Sequence, residues 1–358
     1  MTTQPPKKDT PANAPKELGK PLVPPVQVSR VRFSPDGTLL VAACFDGTVR
    51  RWDVSGKEPV ELPAITGHNG WVTNVMFMSL PPKIGDKIYS TDSWGRLTAS
   101  DIDGKQRWTV ESAHDGWVRG LAQSPDKAVV ATCGKDGIVR LWRAATGKPD
   151  IKFKLGSDLL SLAFAPDGTD LFVGDQFGVV HVLNYASGEP VRTIEARELF
   201  KLDRIQDVGG VKNLMLSADG KTLFAAGAEP KSGGFVQCVP LLIAFDRSGK
   251  RLSQYKGAND NEGYVTDLAW HPDGYVIGTT SGQPGQGKFF FWKPGDAAAF
   301  VTGGKHPNCH SVALAPEGDV MAVSATNANS SGNGRVKGTG GDYPANNSPI
   351  QLWTVPKA

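Results

Sequence analysis

Residues 113–143, AHDGWVRGLAQSPDKAVVATCGKDGIVRLWR, constrain the fold more than any other stretch. They hold three short apolar runs, Trp117–Ala122, Ala128–Thr132 and Ile138–Trp142, separated by Ser124-Pro125-Asp126-Lys127 and Gly134-Lys135-Asp136-Gly137. Each run has strand length and each separator can reverse the chain, so the piece reads as an antiparallel meander. Three strands with one apolar face cannot bury that face alone. Such a unit needs copies of itself.

The chain supplies them. VSRVRFSPDGTLLVAACFDGTVRRWD at 28–53 matches turn for turn. Proline presets φ in the first turn, and glycine takes the left-handed position at its end. Unit two opens at Gly67-His68 and replaces that turn with a longer loop, Leu80–Asp86. The turn recurs at Ala165–Gly168, Ser217–Gly220, His271–Gly274 and Ala315–Gly318. Third strands close at residues 52, 100, 142, 183, 245, 292 and 353, at intervals of 48, 42, 41, 62, 47 and 61 residues. A fourth apolar segment, such as Arg107–Val110 or Val191–Ile194, lies between units. A period near 40–45 residues with four strands per unit predicts an all-β, seven-bladed propeller of four-stranded antiparallel blades. Only five residues follow Trp353, so the last blade takes its outer strand from the N-terminal Lys20–Val26, which closes the ring. Residues 1–18, polar and proline-rich, read as a disordered tail, and 19–358 as one propeller.

These turns and the Trp-Asp ending of unit one resemble the WD40 repeat family over about residues 20–355. The resemblance implies a structural tetrad of His, Ser/Thr, Asp and Trp. Unit three alone has all four at the motif positions: His114, Thr132, Asp136 and Trp142. Unit one lacks the His; unit two has His68 but neither the aligned Asp nor the Trp. The other blades are expected to hold together by apolar packing. In G-protein beta-subunit-like members of this family, the residue opening the innermost strand and the one two positions on ring the channel mouth and contact partners. Here the first series includes Trp71, Trp117, Asp158 and Tyr264, and the second Thr73, Arg119, Lys212 and His310. Trp, Tyr and Arg anchor interfaces most often. The competing reading is that the aromatics only seal the seams between blades. The long segments Glu195–Gly209, Ala228–Pro240, Gly282–Gly287 and Thr326–Ser348 all open on the top face, which carries the d–a and b–c connections.

Composition limits the alternatives. Net charge is +3 with 39 basic and 36 acidic residues and no long basic block, which argues against nucleic acid as a partner. No apolar run approaches a membrane span, and no signal-peptide pattern opens the chain. Cys44, Cys133, Cys238 and Cys309 form no CxxC pair and read as free thiols, which suits a cytoplasmic protein. KHPNCH (305–310) lacks further metal ligands nearby, GQPGQG (282–287) is no P-loop, and no GxSxG elbow appears. We therefore expect no cofactor, no metal and no enzymatic activity. The expectation is a monomeric, non-catalytic platform that binds a protein or peptide on its top face. The alternative is a propeller enzyme (hydrolase, lyase or quinone-dependent oxidoreductase) with its site at the channel mouth.

Overall fold

The structure, a computed structural model, describes residues 14–356 except 81–83, 204, 232–236, 284 and 328–345. Seven four-stranded antiparallel sheets follow one another along the chain. Strands are lettered a to d within each blade. Blade three is Val118–Gln123, Val129–Gly134, Ile138–Arg143 and Pro149–Lys154, within two residues of the runs read from sequence. The other a strands are Val28–Phe33, Val72–Met78, Leu159–Phe164, Asn213–Leu216, Tyr264–His271 and Cys309–Leu314. Each packs on the a strand of the next blade, and the last packs on the first, so the a strands line a closed ring.

Strand b explains the continuous apolar runs. In blades one and three every one of its residues is buried, because both sheet faces press on neighbouring blades. The core is accordingly divided. Among the described residues each of the seven blade-to-blade interfaces has its own apolar cluster, such as Leu40, Ala42 and Trp52 against Ala313 and Ile350 where blade one meets blade seven. Strand d is mostly exposed, as Pro149–Lys154 illustrates.

The ring closes through its termini. Glu17–Leu22 pairs antiparallel with Ile350–Thr354, the c strand of blade seven. This strand starts three residues before the predicted Lys20–Val26, inside the stretch read as tail, whose residues 1–13 lie outside the described region. Pro24 and Pro25, which cannot donate to a ladder, follow its end. Two other expectations change. In blade five, strands Thr222–Pro230 and Cys238–Asp246 stay paired to the Pro230–Cys238 rung, so both ends of the predicted Ala228–Pro240 loop belong to a tall strand pair, and residues 232–236 lie outside the described residues. Glu195–Gly209 is structured: a 3-10 turn at Arg197–Leu199 leads into a hairpin of Phe200–Asp203 and Gln206–Gly209. Most of the Thr326–Ser348 loop, and the middle of Leu80–Asp86, lie outside the described residues.

Candidate functional site

In six blades the a–b register shifts by one residue near the start of strand a, around Ser29, Thr73, Arg119, Leu160, Thr266 and His310. Such bulges turn a side chain out of the regular alternation. They fall on the second series of positions named from sequence. Several of these side chains bridge blades. Ser29 Oγ donates to Val72 O at 2.6 Å, and Thr73 Oγ1 to Val118 O at 2.7 Å. His310 Nε2 meets Thr326 Oγ1 at 2.8 Å within its own blade, and burial of the imidazole pushes its pKa down to about 4. Arg119 instead faces the channel mouth, and so does Lys212 in blade five.

The opening residues of strand a are held by the b–c turn of their own blade. Ser93 N donates to Trp71 O and Trp71 N to Ser93 Oγ, at 2.9 and 3.1 Å. Lys135 N donates to Trp117 O at 3.0 Å. The backbone thus fixes where the two indoles emerge. Trp71 stacks on Phe45 of blade one, with centroids 4.7 Å apart and planes at 6°, and meets the edge of Trp117 at 5.5 Å. It does seal a seam, yet it remains 46% exposed, and Trp94 beside it is 68% exposed. Together Phe45, Trp71, Trp94 and Trp117 line a top-face cleft of about 530 Å³.

This cleft adjoins the channel mouth, a space of about 200 Å³ that shares Phe45, Trp71 and Trp117 and adds Thr73, Arg119, Lys212 and Tyr264. Arg119 lies over the Trp117 ring at 5.0 Å and pairs with Asp158 at 3.2 Å; Lys212 lies over Tyr264 at 4.9 Å. Deeper in the channel, Arg30 and Arg32 both pair with buried Asp267, at 2.7 and 2.8 Å. Burial alone would raise the Asp267 pKa, but the two guanidiniums and the Ser311 hydroxyl hold it at about 2. Burial, then the neighbouring Arg119 charge, lower the Lys212 pKa.

The His114–Thr132–Asp136–Trp142 set forms a continuous chain. His114 Nδ1 lies 2.9 Å from Asp136, His114 Nε2 lies 2.7 Å from Thr132 Oγ1, and Trp142 Nε1 donates to the same oxygen at 2.9 Å. Burial lowers the His114 pKa and opposes ionisation of Asp136. Hydrogen bonds from His114 and Arg140 outweigh burial and hold the Asp136 carboxyl well below the usual range. Blade two has a counterpart that sequence alignment missed. His68 meets Asp92 at 3.0 Å and Ser90 at 2.7 Å, the aspartate standing at the end of strand b rather than inside the turn. Asp175 holds the same place in blade four and pairs with His181 at 3.0 Å. Polar latches therefore support more than one blade.

Six of the eight predicted partner residues, Trp71, Thr73, Trp117, Arg119, Lys212 and Tyr264, line the mouth. Asp158 is the ion partner of Arg119, and His310 does not line the space. Phe45 and Trp94 went unnamed, although an aromatic next to a b–c turn glycine or its aspartate was a usable signal. The exposed Leu202 and Ile205 at the tip of the 200–209 hairpin also went unnamed. Within KHPNCH, His306 packs on Trp353, Cys309 is fully buried and His310 bonds Thr326, so the three side chains enter separate environments. All four cysteines are buried and outside any disulfide, and burial pushes the Cys44 thiol up to about 12.

Seven blades, ring closure and the histidine–aspartate latches define a WD40-repeat β-propeller. The sequence model of that family, the WD domain or G-beta repeat, matches residues 24–53 and 104–143. It is 32% identical over 167 residues to small ribosomal subunit protein RACK1y of Oryza sativa subsp. japonica, covering 44% of this chain and 46% of that protein. It is 30% identical over 253 residues to telomerase Cajal body protein 1 of Homo sapiens, covering 68% of this chain and 37% of that one. Nuclear distribution protein PAC1 of Arthroderma benhamiae is 25% identical over 267 residues, or 71% of this chain and 57% of that protein. The chain thus spans about half or less of the first curated relatives it matches. Among the described residues no helix is long and apolar enough to cross a membrane.

Proposed function

We propose that this chain is a non-catalytic docking platform that binds a protein or peptide segment across the top-face cleft and channel mouth. The observation that carries the reading is Trp71, locked between Phe45 and Trp117 yet 46% exposed in a cleft of about 530 Å³. A rigid aromatic loses little conformational entropy on binding, which is why such side chains become anchors. Trp94 widens the apolar surface, and Arg119, Tyr264 and Lys212 add polar contacts at its inner edge. A monomeric propeller suits the reading, since radial repetition leaves only short, protected sheet edges.

The channel chemistry favours docking over catalysis. Its buried carboxylate, Asp267, is held ionised between two guanidiniums, which stabilises the ring and ties that group up as a proton donor or acceptor. Four buried cysteines outside any disulfide suit a reducing, cytoplasmic setting. The partner would be captured from the native source and titrated calorimetrically against wild type and a Trp71→Ala/Trp117→Ala variant of equal melting temperature. The reading predicts at least about a tenfold loss of affinity, as for anchor residues. Unchanged affinity would remove the top-face site.

A further inference from the structure

The charges that ring closure brings together in the channel do not balance. Arg30, Arg32, Arg119 and Lys212 line it, from blades one, three and five. Asp267 answers Arg30 and Arg32, and Asp158 answers Arg119. Among the described residues no carboxylate stands within ion-pair distance of Lys212: its ammonium lies over the Tyr264 ring face at 4.9 Å, and Asp158, already paired with Arg119, acts on it only from further away. Arg119 and Lys212 lie close enough for the Arg119 charge to disfavour protonation of Lys212. Arg119 is itself under-used: it reaches Asp158 through Nη2, and its buried Nε has no hydrogen-bond partner among the described residues. Two cations lying over aromatic rings, one without an ion-pair partner of its own and one with an unmet donor, border a mouth of about 200 Å³.

We infer that Arg119 and Lys212 form an oxyanion site at the channel mouth, sized for one carboxylate or phosphate group. Arg119 offers planar N–H donors and Lys212 a point charge, a pairing suited to either group. An anion between them offsets the like-charge repulsion and accepts from the guanidinium Nη groups of Arg119. The buried Asp158 Oδ1, also unpartnered, sets a limit on charge: it repels a highly charged ligand and tolerates a single oxyanion. If the top face docks a peptide, the natural source is an acidic side chain next to the residue that packs on Trp71. That attribution rests on the docking reading; the anion site does not.

The test uses inorganic phosphate, titrated into the full chain by isothermal calorimetry at low salt, with chloride-matched controls. The inference predicts saturable one-site binding. Lys212→Met weakens it at least tenfold, Lys212→Arg restores it, and exposed Lys148→Met leaves it unchanged. Phosphate also raises the melting temperature of wild type but not of Lys212→Met, since only the folded site binds it. Trp71→Ala, which the docking reading expects to lose the protein partner, keeps phosphate affinity, so the two claims fail separately. Absence of saturable binding, or equal binding by Lys212→Met and wild type, overturns the site. A Lys212→Met protein that does not fold moves the decision to Arg119→Met, for which the same tenfold loss is expected and undiminished affinity counts against the site.

Discussion

At the residue scale, buried charges decide more than the exposed ion pairs. Asp267 is the clearest case: one carboxylate, nearly inaccessible, binds Arg30 and Arg32 of blade one from blade six. Removing its charge leaves two partly desolvated guanidiniums facing each other. Asp267→Asn should cost about 3 kcal/mol in urea denaturation, the range found when one member of a buried pair is deleted. The histidines give a pH signature of definite sign. His310 titrates at about 4 in the folded chain against 6.5 when free, and burial also lowers His114 and His306. The unfolded chain therefore binds more protons, and stability falls as pH drops from 6.5 towards 4. For His310 alone the loss is up to about 3 kcal/mol. Melts at pH 7 and 4.5 should show a smaller gap in His310→Asn than in wild type; an equal gap contradicts the assignment.

At the scale of turns and strands, most of the architecture was legible. The recurring first-strand turns and the spacing of the third-strand ends mark out seven units in the sequence. Other features were not, for physical reasons. A bulge leaves no trace in hydrophobic alternation, so the re-aiming of Arg119 is visible only in the register. Asp92 acts from two residues before the aligned turn position, since the side chain reaches both His68 and the turn amides of Trp94 and Arg96. Pairing of the tall blade-five hairpin extends past the ring because Ala228, Cys238 and Val239 are buried, Ala228 and Cys238 against Val208 of the added hairpin. One turn departs from its own rule. Lys127 holds φ of 60°, where the matching turns place Gly37, Gly168 and Gly220 at 74°, 71° and 67°. Lys127→Gly relieves that strain and should raise stability by about 0.5–1 kcal/mol, measured by chemical denaturation. A loss of stability would mean the lysine side chain is held by contacts outside the turn.

At the scale of the molecule, closure makes the ring. The N-terminal strand covers the edge of Ile350–Thr354, Lys16 and Thr354 exchange two bonds at 2.8 and 2.9 Å, and Leu22 fills the blade-one interface. Deleting residues 1–22 bares that edge. We expect a melting temperature lower by about 5 °C or more and concentration-dependent light scattering, as for an open sheet edge. An unchanged melt would show that blade seven stands as three strands. Closure also explains why the channel charges could not be foreseen: Arg30 and Asp267 are far apart in sequence and meet only because blades one and six face one channel.

The central claim concerns which face binds. Hydrogen exchange of the chain with and without its captured partner tests it most directly, because each connection reports one face. The account predicts slowed exchange at residues 66–72, 92–96 and 114–120, with no change at the opposite turns 34–37, 124–127 and 217–220. Protection confined to those opposite turns would contradict it.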